Sequence, residues 1–334
     1  IIYDIDVTSY YPSIILNMSL HPGHLTSTWT DILREITEER IKAKQSGEKL
    51  KADSLKIVIN SAYGKTGNQY SFMCDPKLML TVTITGQLSL LMLVELLSEA
   101  DIEVISANTD GITAKVKVDQ VKEFTAICDA WQKSTGFNLE KTVYKKYIRR
   151  DISNYIAELT DGKLKRKGIF DGWNLYKKND CKIVSKALEN YFLKNIPVEE
   201  TINFDNDQSD IHDYLQSYKS NKGYNAFIDG NKLQKNNRWY ISIDGDLLRK
   251  SKDSKNIKIK KSGSVKIVND ITDASLPADL DLDFYRQEAK EIIFKIENTK
   301  KAEMLKALGL FPIPKEYKYN PKGSRLNEIR TDWN

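Results

Sequence analysis

Asp6 and Asp110 are the residues best placed to do chemistry. Asp6 closes the opening segment IIYDIDV, just before a Thr-Ser-Tyr-Tyr-Pro turn, and Asp110 sits in the Asn108-Thr109-Asp110-Gly111 turn of EVISANTDGITAKV. At strand ends a side chain reaches beyond the sheet, and neighbouring ends can bring two such groups into one small volume. Two carboxylates held that way repel each other, and a bound Mg²⁺ would offset the repulsion. Aspartate is also a common turn former, so residue type alone leaves both readings open. Asp4 shares the strand face of Asp6 and is a candidate third carboxylate.

The opposite charge comes from two adjoining segments. TDILREITEERIKAKQS predicts a helix over 30–46, capped by Asp31 and stopped at Gly47, and ADSLKIVINSAYG predicts a second over 52–64. The short GEKLK linker makes them an antiparallel hairpin. Arg40 and Lys44, four apart, share a face of the first helix, and Lys56, Asn60, Tyr63 and Gly64 share one on the second. A cationic hairpin beside paired carboxylates suits a nucleoside triphosphate with Mg²⁺, phosphate oxygens on Arg and Lys and metal on Asp. Lysines and arginines on helices are also commonly just solvated, so spacing alone does not decide.

Further along, residues 80–99 predict a long apolar helix, buried in the core. EVISANTDGITAKV reads as strand–turn–strand with Thr109-Asp110-Gly111 at its tip, 118–135 as a helix, and 142–170 as a strand pair around Asp161-Gly162. After Asp171 the chain becomes more polar, with strands in RWYISIDGDLL and KIKIKKSGSVKIV. Tyr285, Ala289, Ile292, Ile293 and Ile296 form one helical stripe. A domain boundary is placed near residue 171. His21 and His24 read as loop residues because no further His or Cys lies near, and Trp239 and Tyr240 read as strand core.

Composition sets the class. Among 334 residues, 40% are hydrophobic and 29% charged, ordinary for a globular protein. No run of about 18 apolar residues exists, so no membrane association is expected. Three scattered cysteines without a CxxC pair argue for reduced thiols in a cytoplasmic setting. The net charge is only +5, yet residues 141–168 hold nine basic residues against three acidic ones. A concentrated positive stretch in an otherwise near-neutral chain suggests a polyanion track, against the alternative of a solvated charged face. The chain lacks an initiator Met and opens as if within a strand. The expectation is therefore a fragment.

Taken together, these segments resemble family B DNA polymerases. DVTSYYPSII resembles the family's motif A (DxxSLYPSI), KIVINSAYG its motif B (KxxxNSxYG), and ANTDG stands where motif C (DTDS) belongs. RRDISNYIAEL followed by DGKLKRKGIF resembles the segment that tracks the primer–template. The resemblance is strong over residues 1–170 and weak beyond. It implies an α+β fold: a polymerase palm with an antiparallel sheet, a short helical fingers hairpin, and a mixed α/β thumb. The implied division is palm over 1–27 and 69–170, fingers over 28–68, and thumb and C-terminal region over 171–334. A phage-like enzyme without an upstream exonuclease domain is expected, acting in the host cytoplasm if phage-encoded.

The same resemblance implies roles. Asp6 and Asp110 would be the catalytic carboxylates, holding two Mg²⁺ ions. The backbone at Ser9 and Tyr10 would hold triphosphate oxygens, Tyr11 would exclude a ribose 2′-hydroxyl, and Arg40, Lys44, Lys56 and Asn60 would bind the dNTP. Tyr63 would border the nascent base pair and Gly64 would admit the template. Arg149, Arg150, Tyr155, Lys165 and Lys167 would bind primer–template DNA; any processivity or priming partner stays unidentified. Two departures stand out. The first Asp of DTDS is Asn108, and the lysines of the family's KKxY segment are Ile152 and Ser153, with Arg149, Arg150, Lys145 and Lys146 as candidate compensation. The departures motivate an alternative, a catalytically silenced nucleic-acid-binding remnant. Another palm-type enzyme, a reverse transcriptase or primase, is disfavoured by Tyr-Tyr-Pro-Ser-Ile-Ile after Asp6 and by Asn-Ser-Ala-Tyr-Gly at 60–64.

Overall fold

The computed structural model describes residues 1–171, 181–207, 209–252, 255–259, 261–271 and 275–298. The opening residues form strand β1 (Ile2–Val7), which runs through a turn into helix α1 (Tyr10–Asn17). Helices α2 (Thr28–Gln45) and α3 (Lys49–Thr66) follow as a hairpin, then the long helix α4 (Pro76–Glu99). Strands β2 (Glu103–Ala107) and β3 (Gly111–Lys115) make a hairpin, and helix α5 (Val121–Thr135) leads to β4 (Leu139–Asp151). Strands β5 (Asn154–Leu159) and β6 (Leu164–Lys167) complete a sheet of order β2-β3-β1-β4-β5-β6. Three strands therefore replace the expected strand pair. Asp161-Gly162 turns β5 into β6, and a second turn at Ile152-Ser153 separates β4 from β5.

Packing divides the chain into two units, one of residues 1–146 and 158–163, the other of 147–157 and 164 onward. In the first unit β1 lies between β3 and β4, antiparallel to both, so that Asp6 faces Gly111 on one side and Glu140 on the other. The core beneath it gathers Ile5, Ile14, Val82, Leu93, Leu97, Ile112, Phe124 and Trp131. The Trp131 indole satisfies its one donor on the Ser89 carbonyl at 2.8 Å, as a buried Trp requires.

Helix α4 differs from the buried helix expected. Its capping Asp75 accepts from the Leu78 amide at 3.0 Å, and Pro76 opens its first turn. Leu78, Val82, Leu90, Leu93 and Leu97 line its inner face, each contributing roughly 1.5–3 kcal/mol on burial. Leu80, Ile84, Leu88 and Leu91 are exposed on the other side. By length and composition α4 could cross a membrane, with a mean hydropathy of 1.7 over 18 residues. Here one stripe of it forms the core of a folded unit, and the carbonyl of Gly86 accepts from the buried Tyr10 hydroxyl at 2.6 Å.

The hairpin also refines two expectations. Ser27, not Asp31, occupies the N-cap of α2. Asp31 instead lies in the first turn, where its charge favours the helix dipole. Helix α3 runs from Lys49 to Thr66, so it begins inside the expected linker and continues past Gly64. The reversal turns on Gly47, whose φ of +80° is a left-handed conformation open to glycine. The Glu48 amide closes it on the Ala43 carbonyl at 2.9 Å. Lys51 and Glu39 tie the helices together at 2.8 Å.

In the second unit, helices α6 (Lys182–Lys194), α7 (Val198–Thr201) and α8 (Ile211–Tyr214) precede two small sheets. One has order β13-β10-β7, built from β7 (Gln216–Lys219), β10 (Asn236–Asp246) and β13 (Val265–Ile267). The other has order β12-β11-β8-β9, from β8 (Asn225–Ile228), β9 (Asn231–Lys232), β11 (Leu248–Lys252) and β12 (Lys255–Lys258). Helix α9 (Leu282–Glu297) buries Leu282, Tyr285, Ala289 and Ile293 in this unit's core, close to the predicted stripe. Trp239 and Tyr240 are buried strand residues, as read. Of the expected C-terminal region, residues 299–334 lie outside the described residues.

Candidate functional site

The register of β1 creates the site. Asp6 is the last-but-one residue of the central strand, and the Val7 amide donates to the Asp110 carbonyl at 2.7 Å, pinning the two carboxylate-bearing segments together. Close approach is possible because residue 111 is glycine. A Cβ there would sit 2.5 Å from the Ile5 carbonyl oxygen and closer still to the Asp6 carboxylate.

The turn that presents Asp110 is held by Asn108. Its side-chain oxygen accepts from the Asp110 amide at 3.0 Å and the Gly111 amide at 2.6 Å, and its own amide donates to the Gly111 carbonyl at 2.9 Å. This is the side-chain-to-backbone turn that Asn and Asp both favour. The departure from DTDS thus keeps the acceptor and removes only a charge.

After Asp6 the chain leaves the sheet through Ser9, whose φ of 49° and ψ of 47° place a non-glycine residue in the left-handed region at the head of α1. Such a conformation costs of order 1–3 kcal/mol and persists when its surroundings enforce it. Here Arg40 donates to the Ser9 hydroxyl at 2.8 Å, the Ser9 carbonyl accepts from the Ser13 amide at 2.9 Å, and the Ser13 hydroxyl donates to the Thr8 carbonyl at 3.0 Å. Arg40 keeps its Nε buried without a partner.

These elements enclose a cavity of about 620 Å³. Asp6, Ser9, Tyr10, Tyr11, Arg40, Lys44, Lys56, Asn60, Tyr63 and Asp110 all line it. Tyr10 reaches it through its backbone end, since its hydroxyl is spent in the core and burial pushes that group up to about 12. Tyr11 stacks at a tilt on Tyr63, ring centroids 4.4 Å apart, and the Tyr63 hydroxyl meets that of Thr83 at 2.7 Å. Burial, then the neighbouring Tyr63 and Asp110, holds the Tyr11 hydroxyl above its ordinary value, so it stays neutral.

Several expected residues fall elsewhere. Gly64 does not line the cavity and faces open space. Asp4, although on the face of Asp6, is buried, and its carboxylate accepts from the Thr113 hydroxyl at 2.9 Å and from the Tyr144 hydroxyl. Arg149, Arg150, Tyr155, Lys165 and Lys167 belong to the second unit. There Lys165 lies 6.0 Å from the centroid of the Tyr155 ring, and Tyr155 packs on Tyr147 at 5.3 Å. The basic stretch is partly neutralised in place: Lys145 pairs with Glu158, Arg150 with Asp151, Lys163 with Asp161 and Arg166 with Glu189.

The structure adds Glu140, which sequence reasoning did not single out. It sits directly across from Asp6 on β4, lines the cavity, and pairs with Lys44 at 3.6 Å. Asp53 and Lys49 also line the cavity from the hairpin. Four carboxylates (Asp6, Asp53, Asp110, Glu140) therefore face four cations (Arg40, Lys44, Lys49, Lys56). Among the described residues no cluster of three or more His, Cys, Asp or Glu forms a ready metal cage. Two aspartates with hard oxygen donors still fit Mg²⁺, which is usually held by one or two carboxylates with substrate phosphates and water completing its shell.

Comparison with known proteins bears on the family and the fold. A family model for DNA polymerase family B matches residues 30–236. A solved structure of the family B DNA polymerase from the hyperthermophilic archaeon Pyrobaculum calidifontis aligns over 88% of this chain, with a TM-score of 0.50 and 16% identity. The chain spans 44% of that protein. A search of curated proteins found no match. With most of its length matched by the family model, the chain belongs to DNA polymerase family B.

Proposed function

We propose that the chain catalyses template-directed addition of dNTPs to a primer 3′-hydroxyl, with the first unit as palm and fingers and the second carrying the thumb. The observation that carries this reading is the single cavity in which Asp6 and Asp110 face Arg40, Lys44, Lys56 and Asn60. A triphosphate needs cations along its length and a carboxylate pair where bonds change, and charge stabilisation of this kind is the largest part of phosphoryl-transfer catalysis.

In this reading Arg40, Lys44 and Lys56 hold the phosphates, and Asn60 orients them. The backbone at Ser9 and Tyr10 offers amide donors at the head of α1. When bound at Asp6 and Asp110, two Mg²⁺ ions would activate the primer hydroxyl and balance charge on the leaving pyrophosphate. Lys44 must leave Glu140 to meet a phosphate. That pair is exposed, with both side chains more than half accessible, so the exchange costs little. Arg149, Arg150, Tyr155, Lys165 and Lys167 would contact the primer–template, and their contribution should weaken as salt rises.

The test is extension of a labelled DNA primer by the chain with Mg²⁺, on matched DNA and RNA templates. Extension on DNA that stops when Mg²⁺ is chelated supports the reading. Preference for RNA would assign a reverse transcriptase instead, and DNA binding without extension would assign a silenced remnant.

Two substitutions probe individual roles. Tyr11 sits against Tyr63 at the cavity wall and is followed by the fixed backbone of Pro12. Tyr11→Val should raise ribonucleotide incorporation by at least about tenfold relative to dNTP, since a steric block of roughly 1.4 kcal/mol or more is removed. Competition between dNTP and rNTP measures it, and an unchanged ratio in an active variant refutes the gate. In the turn that presents Asp110, Asn108→Asp should keep the turn and the activity, with a shifted Mg²⁺ optimum from the added charge. Asn108→Ala orphans both amides and should lower kcat by roughly 100-fold through a displaced Asp110. Mg²⁺ titrations of the three proteins separate these effects, and wild-type behaviour of the Ala variant would contradict them.

A further inference from the structure

The loop joining α3 to α4 carries two aromatic rings that the fold does not use. Tyr70 is 89% exposed and Phe72 is 72% exposed. Exposed aromatics often ride on loose segments, but this loop is fastened along its length. The Tyr70 amide donates to the Asn68 side chain at 2.9 Å, the Ser71 amide to the Asn68 carbonyl at 2.9 Å, and the Cys74 amide to the Ser71 carbonyl at 3.0 Å. The Phe72 carbonyl meets the His24 ring nitrogen at 2.7 Å, and the Asp75 amide donates to the Thr66 carbonyl at 2.8 Å. Amides of Gly23 and Leu78 both donate to Asp75 and hold its carboxyl below the usual range. A pinned backbone that turns two rings to solvent forgoes the stabilisation that burying them would bring, so the rings are available to a ligand.

The position says which ligand. Helix α3 lines the cavity with Lys56, Asn60 and Tyr63, and the loop begins after Thr66 at the same end as Tyr63. At 1.5 Å per residue, Thr66 lies about 4.5 Å beyond Tyr63 along the axis, on the order of one nucleotide step of roughly 3.4 Å. Lys65 and Lys77 flank the loop and are exposed, and the one carboxylate between them is already engaged by backbone amides. Aromatic rings between two exposed lysines, on a loop that continues a helix lining the cavity, suit single-stranded nucleic acid, whose bases stack regardless of sequence.

We propose that Tyr70 and Phe72 form a stacking platform for unpaired template bases next to the cavity. The proposal rests on the polymerase reading for the direction from which the strand arrives, and it concerns binding only.

The experiment measures affinity of the 334-residue chain for primer–templates with 5′ template overhangs of different lengths, by anisotropy of a label on the duplex end and without dNTP. Wild type should bind overhang-bearing templates more tightly than blunt duplex. Tyr70→Ala with Phe72→Ala should remove that increment, a loss of about fivefold to a hundredfold, while blunt-duplex affinity and far-UV circular dichroism stay unchanged. Tyr70→Trp with Phe72→Trp should retain the increment and report stacking by quenched fluorescence. An unchanged overhang dependence in the double Ala variant would overturn the platform, and so would an equal loss on blunt and overhang DNA. Primer extension by the same proteins keeps the two ideas apart. Extension with no overhang effect sinks the platform alone, whereas overhang binding through these rings without extension sinks the polymerase activity alone.

Discussion

Asp6→Asn and Asp110→Asn should each reduce nucleotide addition by about a thousandfold or more while leaving DNA affinity nearly intact. Both carboxylates line the cavity, and the Val7–Asp110 hydrogen bond fixes the segments that carry them. Asn keeps the shape and removes the charge. Several kcal/mol of charge stabilisation then disappear from the transition state, and each 1.36 kcal/mol is tenfold in rate. DNA affinity should persist because phosphate contacts by lysines and arginines dominate it. Single-turnover rates and equilibrium binding on the same preparations check this. Near-normal rates in either variant would remove that residue from the chemistry, and parallel loss of binding and rate would point to misfolding.

Gly111→Ala should be nearly as damaging, although it touches no substrate. The added methyl has nowhere to go: the Ile5 carbonyl and the Asp6 carboxylate already occupy its place. Strand β3 must back away from β1, which costs typically 1–3 kcal/mol as overpacking does. The shift also moves Asp6 relative to Asp110, and a displacement of about 1 Å can cost roughly 100-fold in rate. The signature is a fall in kcat larger than the fall in Tm accounts for, with the folded population confirmed by denaturant titration. A stable variant with full activity would mean that the two carboxylates need not stay in register.

Much of this site is legible in the sequence because it depends on local signals. The change of period after Asp6, the Asn-Thr-Asp-Gly turn and the i, i+4 pairs on the hairpin each announce an element and a face. What escaped depends on contacts between distant segments. Glu140 is an ordinary residue at a strand start until β4 pairs with β1 and sets it opposite Asp6. Asp4 has the parity of Asp6, but depth separates them, and only the positions of Thr113 and Tyr144 show that its oxygens serve the core. Helix α4 carries Leu, Ile or Met on several faces, which reads as burial on all sides, whereas the described fold covers only one of them. The charge of the basic stretch overstated its availability, since Glu158, Asp151, Asp161 and Glu189 claim four of its cations. For Asn108 the residue type suggested a lost function. The hydrogen bonds to the Asp110 and Gly111 amides give it a structural one.

The central claim is that this cavity selects and adds a nucleotide under instruction from a template. The most direct measurement is a matrix of single-nucleotide additions: four primer–templates differing only in the templating base, each offered one of the four dNTPs with Mg²⁺. The account predicts one-base extension only for the complementary pair in each row, and loss of all extension in Asp110→Asn. Extension that ignores the templating base, or none in any row from a folded protein that binds the DNA, would contradict it.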